Sequence, residues 1–122
     1  MTKQEILKLH ELSEEEQYQW LNANNVLQAN KGTYINAHDS NLTGWYSRYE
    51  SLADCAFRLR DEIQENASHT QQYMIVVFRE AFGFKSYPDS EEDLSQFWEM
   101  WALDAKPIHW IQAALLARLE NE

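Results

Sequence analysis

Four histidines, one cysteine and twenty carboxylates are the side chains here that chemistry would use as bases, nucleophiles or ligands. The histidines, His10, His38, His69 and His109, lie far apart, and the sequence holds no His-x-x-x-His or Cys-x-x-Cys pair. Local metal sites use such spacings because they aim two ligands at one ion. Neither metal nor cofactor is therefore expected. His38-Asp39-Ser40 contains the residue types of a hydrolytic triad, but a triad is an arrangement in space. Asp39-Ser40-Asn41 reads better as turn chemistry. Cys55 falls on the apolar stripe of a helical pattern, where a thiol acts as a small hydrophobe, and a nucleophile would need a neighbouring base and a lowered pKa. The three glycines form no phosphate cradle. No catalytic residue is named, and the expected role is not enzymatic.

The carboxylates carry more weight. The formal charge is −10, and residues 89–122 alone hold eight acids against Lys106 and Arg118. A direct nucleic-acid binder needs a basic footprint to displace counterions from phosphates, and none is visible. The same charge opposes anionic membranes and favours basic protein surfaces, including the nucleic-acid grooves of other proteins. Glu91, Glu92 and Asp93 admit two readings. In the first turn of a helix they offset the dipole. Joined to Glu99, Asp104, Glu120 and Glu122 over one surface, they would imitate the phosphates of DNA. The aromatic residues are the second partner-binding candidates. Trp45, Tyr46 and Tyr49 cluster in an Asn-rich stretch and would anchor an interface if exposed. The competing reading places them, with Trp98, Trp101 and Trp110, in the core.

These side chains need elements to position them. Ile6, Leu9 and Leu12 or Leu7 share one side of a short helix over 2–12. Ser13 followed by Glu16 is a capping box that opens a helix to about Asn24, burying Tyr18 and Leu21, with Trp20 as a further candidate. Ser51 caps the clearest helix, 51–66, and Asp54 completes the box, with Leu52, Cys55, Ala56, Leu59 and Ile63 as its apolar stripe and Arg58, Asp61, Glu62 and Glu65 on its wet face. Residues 70–82 are apolar on all sides, so buried helix and buried strand compete; their length favours helix, ended by Gly83. A further helix starts at Asp89 or Ser90 and runs towards Ala105. Pro107 opens the last one, with Ile108, Ile111, Leu115 and Leu119 on one side and Ala113, Ala114 and Ala117 admitting close neighbours. Val26–Ala29 and Thr33–Asn36 leave a small β-hairpin within 25–37 open as an alternative to loop. The expected architecture is mostly α, a compact bundle of four to six helices forming one domain over 1–122.

One cysteine excludes an internal disulfide, no apolar run reaches the ~18 residues of a membrane span, and the N-terminus has no signal-like apolar core. The expected location is the cytoplasm. Ser51-Leu52-Ala53-Asp54-Cys55-Ala56-Phe57-Arg58-Leu59-Arg60-Asp61-Glu62, Ala105–Ala117 (Ala-Lys-Pro-Ile-His-Trp-Ile-Gln-Ala-Ala-Leu-Leu-Ala) and Leu12–Leu21 resemble segments of small phage and prophage accessory proteins. Such proteins include anti-CRISPR and other counter-defence inhibitors. The resemblance implies a place in the bacterial host cytoplasm and inhibition of a basic CRISPR effector or similar host protein by direct binding. It implies no active-site residue. The alternatives are a structural or regulatory homo-oligomeric module without mimicry, and an enzyme of unrecognised type.

Overall fold

The last helix sets the architecture, because its residues from Ile108 to Ala117 are apolar around most of its circumference, as expected of a helix covered on all sides. The computed structural model describes residues 1–29, 48–66, 70–82, 99 and 103–120. In that part the elements are α1 (Lys3–Leu7), a 3-10 turn (Leu9–Glu11), α2 (Glu14–Ala23), α3 (Leu52–Asn66), α4 (Thr70–Phe82) and α5 (Pro107–Glu120). The fold is mostly α, as the periodicities imply. Helix α5 packs against α3, α4 and α1, so it is the centre of the bundle. Ile111 and Leu115 are fully buried, and so is Ala113, whose small side chain lets a neighbour approach.

Each covering helix contributes the face its sequence marks. Ile6 and Leu9 are sealed in the core, with Leu7 and Leu12 half-buried beside them. From α2 come Tyr18 and Leu21, while Trp20 is only partly covered. Helix α3 buries Cys55, Ala56 and Leu59; Ile63 and Glu65 lie outside the described side chains. The competition over 70–82 resolves as helix, with Tyr73, Met74, Ile75, Val77 and Phe78 buried. The run is long enough to close its own backbone hydrogen bonds, which a lone buried strand cannot do.

Helix starts follow the capping chemistry. Ser13 Oγ accepts from the Glu16 amide at 3.2 Å while Glu16 accepts from the Ser13 amide, a complete box. Thr2 and Glu5 make a second such box on α1. On α3 only half a box forms, the Asp54 amide donating to Ser51 Oγ at 3.1 Å.

The end of α2 carries a feature the periodicity does not announce. Asn25 has φ 60°, in the left-handed region. The Val26 amide donates to the Leu21 carbonyl at 2.9 Å and the Asn25 amide to that of Asn22 at 3.1 Å. This is a Schellman ending with Asn in the glycine position. It turns the chain back so that Val26 enters the core.

Two residues of the wet face carry partners that the periodicity does not show, Arg58 with its side chain 27% exposed and Glu62 with its side chain still 43% exposed. The Arg58 guanidinium reaches the Val26 carbonyl at 2.7 Å and both oxygens of Glu50 at 2.6 and 3.3 Å. Glu62 accepts two hydrogen bonds from Arg118 Nη2, at 2.8 and 2.9 Å, tying α3 to α5. Sequence periodicity missed both because the partners lie on other segments. Of the possible hairpin, residues 25–29 are described and form no strand; Ala29 makes an isolated antiparallel bridge with Tyr49. Its second arm, Thr33–Asn36, lies outside the described residues. So does most of the helix expected over 89–105, of which Glu99, Leu103 and Asp104 are described and helical.

Asn25→Gly should raise stability by a few tenths to about 1 kcal/mol, because glycine takes positive φ without a Cβ clash, while Asn25→Val should lower it by about 1–2 kcal/mol. Urea denaturation of the two variants checks the sign; equal midpoints would contradict the left-handed turn.

Candidate functional site

A cleft of about 750 Å³ opens among the described residues. Helix ends build it. Glu14, Gln17 and Tyr18 come from the first half of α2, Ser51–Ala53 from the start of α3, Ala81 and Phe82 from the end of α4, and Lys106–His109 from the start of α5, while His10 and Leu12 come from the N-terminal turn. Most of the wall is apolar. The charged and titratable groups on it are His10, Glu14, Lys106, His109 and the phenol of Tyr18.

Hydrogen bonds hold the polar wall in place. The Lys106 amide donates to Nδ1 of His109 at 2.8 Å, and the His109 amide returns a bond to the Lys106 carbonyl at 2.9 Å. His109 thus caps its own helix from the third position, as Glu does in a capping box. Because Nδ1 accepts, the neutral ring carries its proton on Nε2. The ring stacks on Phe82, with centroids 4.9 Å apart. His109 is 5% exposed, and burial, then the charges of His10 and Lys106, hold its pKa down at about 4.

Gln112 fixes the second histidine. Its Nε2 donates to the Ile6 carbonyl at 2.8 Å, which settles the orientation of the amide, since its oxygen cannot face another carbonyl. The same Nε2 lies 3.2 Å from His10 Nδ1, so that nitrogen accepts and His10 also carries its neutral-ring proton on Nε2. The ring centroids of His10 and His109 are 6.2 Å apart. Below them Gln17 Nε2 donates to the carbonyls of Leu9 and Leu12, at 3.0 and 3.2 Å. That pins the 3-10 turn carrying His10 onto α2.

The sequence pairs His10 with nothing, and the fold brings it to His109. A His at the third helical position after Pro107 was the available signal, legible only as a cap. Of the expected partner-binding residues, the three described ones, Tyr49, Glu99 and Asp104, do not line this cleft. Tyr49 is half-buried, held by the bridge to Ala29, and Glu99 and Asp104 are exposed. Trp45, Tyr46, Glu91, Glu92 and Asp93 lie outside the described residues, as do His38, Asp39, Ser40, His69, Trp98 and Trp101. Trp110 is half-buried against the core.

Cys55 is fully buried, and burial, reinforced by the Glu50 carboxylate, pushes its thiol up to about 12. That is the reverse of a nucleophile's environment. No group of three or more His, Cys, Asp or Glu side chains among the described residues has the geometry to hold a metal ion. No described helix is long and apolar enough to cross a membrane. No protein-family model, curated protein or solved structure matches the chain.

Two outcomes follow. With His109 depressed from 6.5 to about 4, the unfolded chain binds more protons than the folded one between those values. Stability is therefore full above about pH 6.5 and falls as the pH drops towards 4, by on the order of 2–3 kcal/mol from this residue. His109→Asn keeps an acceptor near the Nδ1 position but does not titrate, so its melting temperature should vary less over that window. Cys55 should resist a disulfide-exchange reagent at pH 8 in the folded protein and react at once in denaturant; rapid labelling of the native chain would contradict its burial.

Proposed function

We propose that the chain is a phage-type accessory protein that inhibits a basic, nucleic-acid-handling host protein, such as a CRISPR effector, by binding it. The observation that supports this is how its charges are used. Arg58 and Arg118 are paired with Glu50 and Glu62. Glu16, Asp54, Glu80, Glu99, Asp104 and Glu120 stand exposed on a chain of net charge −10. Two arginines tie segments together, while Lys3, Lys8, Arg48 and Lys106 stand exposed and are outnumbered by the exposed carboxylates. Such a surface steers a basic partner into encounter and competes for the groups that bind phosphates. Anchoring then falls to exposed apolar side chains, of which Phe57 and Leu103 are 58% and 84% exposed. The resemblance of three segments to phage accessory proteins agrees with this role and names no target.

One observation favours a second reading, self-association. A depression of about 250 Å³ lies between α3 and the start of α5, walled by Ala53, Ala56, Phe57, Ala105, Pro107 and Trp110. Arg60 lies over the Phe57 ring at 4.9 Å, covering part of that face. A homo-oligomeric module would use such an apolar surface.

The test is binding to purified CRISPR effector nucleases at rising salt, with sedimentation of the chain alone alongside. Inhibition predicts an affinity that weakens roughly tenfold or more between about 50 and 200 mM salt. Reversal of Glu91, Glu92 and Asp93 to Lys should weaken it further, with loss of nuclease inhibition. A mass that rises with concentration, with no effector bound at any salt, would transfer the assignment to the oligomeric module.

A further inference from the structure

We propose that the cleft between the starts of α2, α3 and α5 is a binding site for a small organic anion with an apolar body, its head held by Lys106 and His10 and its body against Phe82. This site is separate from the inhibitor reading, and either can fail without the other.

Shape and size come first. A hollow of about 750 Å³ is in the range of small-molecule pockets, and its walls combine apolar side chains with polar and charged ones. Leu12, Leu52, Ile108 and Phe82 supply the apolar part. Phe82 is 41% exposed, a large aromatic left uncovered at the mouth.

The donors on the wall come from Lys106 and His10. Lys106 is exposed and brings a full positive charge. His10, half-buried on the cleft wall, spends Nδ1 on the fully buried Gln112, which leaves Nε2–H as the ring's remaining polar group. It therefore offers the cleft a hydrogen-bond donor and no acceptor. The starts of α3 and α5, helices of 15 and 14 residues, open on the same space and add their positive dipole ends. His109 is a positioning residue. It ties down the Lys106 backbone through Nδ1 and backs Phe82 with its ring.

Donor chemistry of this kind also rules out the obvious competitor. Two histidines with centroids 6.2 Å apart suggest a metal, but both Nδ1 atoms are already accepting hydrogen bonds and both Nε2 atoms carry the proton of the neutral ring. Glu14 is the one carboxylate among the described residues of the wall, and it opposes an anion. It sits at the first position of α2, where it offsets that helix's own dipole.

The experiment is a titration of the full chain with phenyl phosphate, followed by the imidazole and amide resonances of His10, Lys106 and His109. Benzylamine and inorganic phosphate serve as comparisons. Saturable shifts are expected with phenyl phosphate, with at least tenfold weaker binding of both benzylamine and inorganic phosphate. Lys106→Glu should weaken phenyl phosphate at least tenfold, and His10→Phe, which keeps the ring but removes the donor, several-fold. Glu14→Gln should strengthen it. An unchanged helical spectrum in each variant separates loss of binding from loss of fold. Absence of saturable shifts up to about 10 mM, equal binding of benzylamine, or an unchanged affinity in folded Lys106→Glu would overturn the proposal.

Discussion

A helix with almost no wet face must be surrounded, and the rest of this molecule is arranged to surround α5. From Ile108 to Ala117 only Trp110 is more than marginally exposed. Full burial of each large aliphatic side chain there contributes about 2–3 kcal/mol, so covering the helix outweighs the weak intrinsic preferences of the short elements around it. The cost falls on its two buried polar residues. His109 is satisfied by its own helix start and Gln112 by α1. The bond from Gln112 to Ile6 also sets how the first helix sits on the last, across 106 positions of sequence. Gln112 Oε1 remains without a hydrogen-bond partner, a defect of the kind that typically costs about 1–3 kcal/mol.

A second constraint closes the chain between α2 and α3. The Schellman turn at Asn25 redirects the backbone, and Glu50 then gathers three groups: the Arg58 guanidinium, the Gln28 amide on its side chain and the Gln28 carbonyl on its own amide. Arg58 adds a bond to Val26. A planar guanidinium suits this because it serves a carboxylate with two donors and still reaches a carbonyl. The Tyr18 hydroxyl accepts from the Leu52 amide at 3.1 Å and joins α2 to the start of α3. Together these contacts bring the ends of residues 29–49 side by side, and they place the starts of α2 and α3 on one rim of the cleft.

Charge and cavity therefore divide the surface into two kinds of site. On the described exterior, exposed carboxylates outnumber the exposed cations Lys3, Lys8, Arg48 and Lys106. In the cleft helix starts converge, with Lys106 and Glu14 both on its wall. A chain with net −10 raises the barrier to any anion approaching from afar, so specificity for the cleft rests on short-range donors.

Much of the fold was legible in the sequence. Alternating apolar spacing located α1, α2, α3 and α5, and Ser13 with Glu16 marked a helix start to the residue, because caps and amphipathic stripes are local consequences of backbone geometry. The acidity and the lack of any metal-ligand spacing were equally plain. Periodicity could not show that Arg58 and Glu62 are paired, that Asn25 takes the left-handed turn, or that His10 meets His109. Each depends on which segments lie side by side, and side-chain partners far apart in sequence leave no local pattern. The sequence by itself determined that helices form, where most of them start and that their net surface is negative. Only the tertiary structure decided which helix is central, and with it the cleft, because a cavity arises from how helix ends meet around α5 and not from the residues of any one of them.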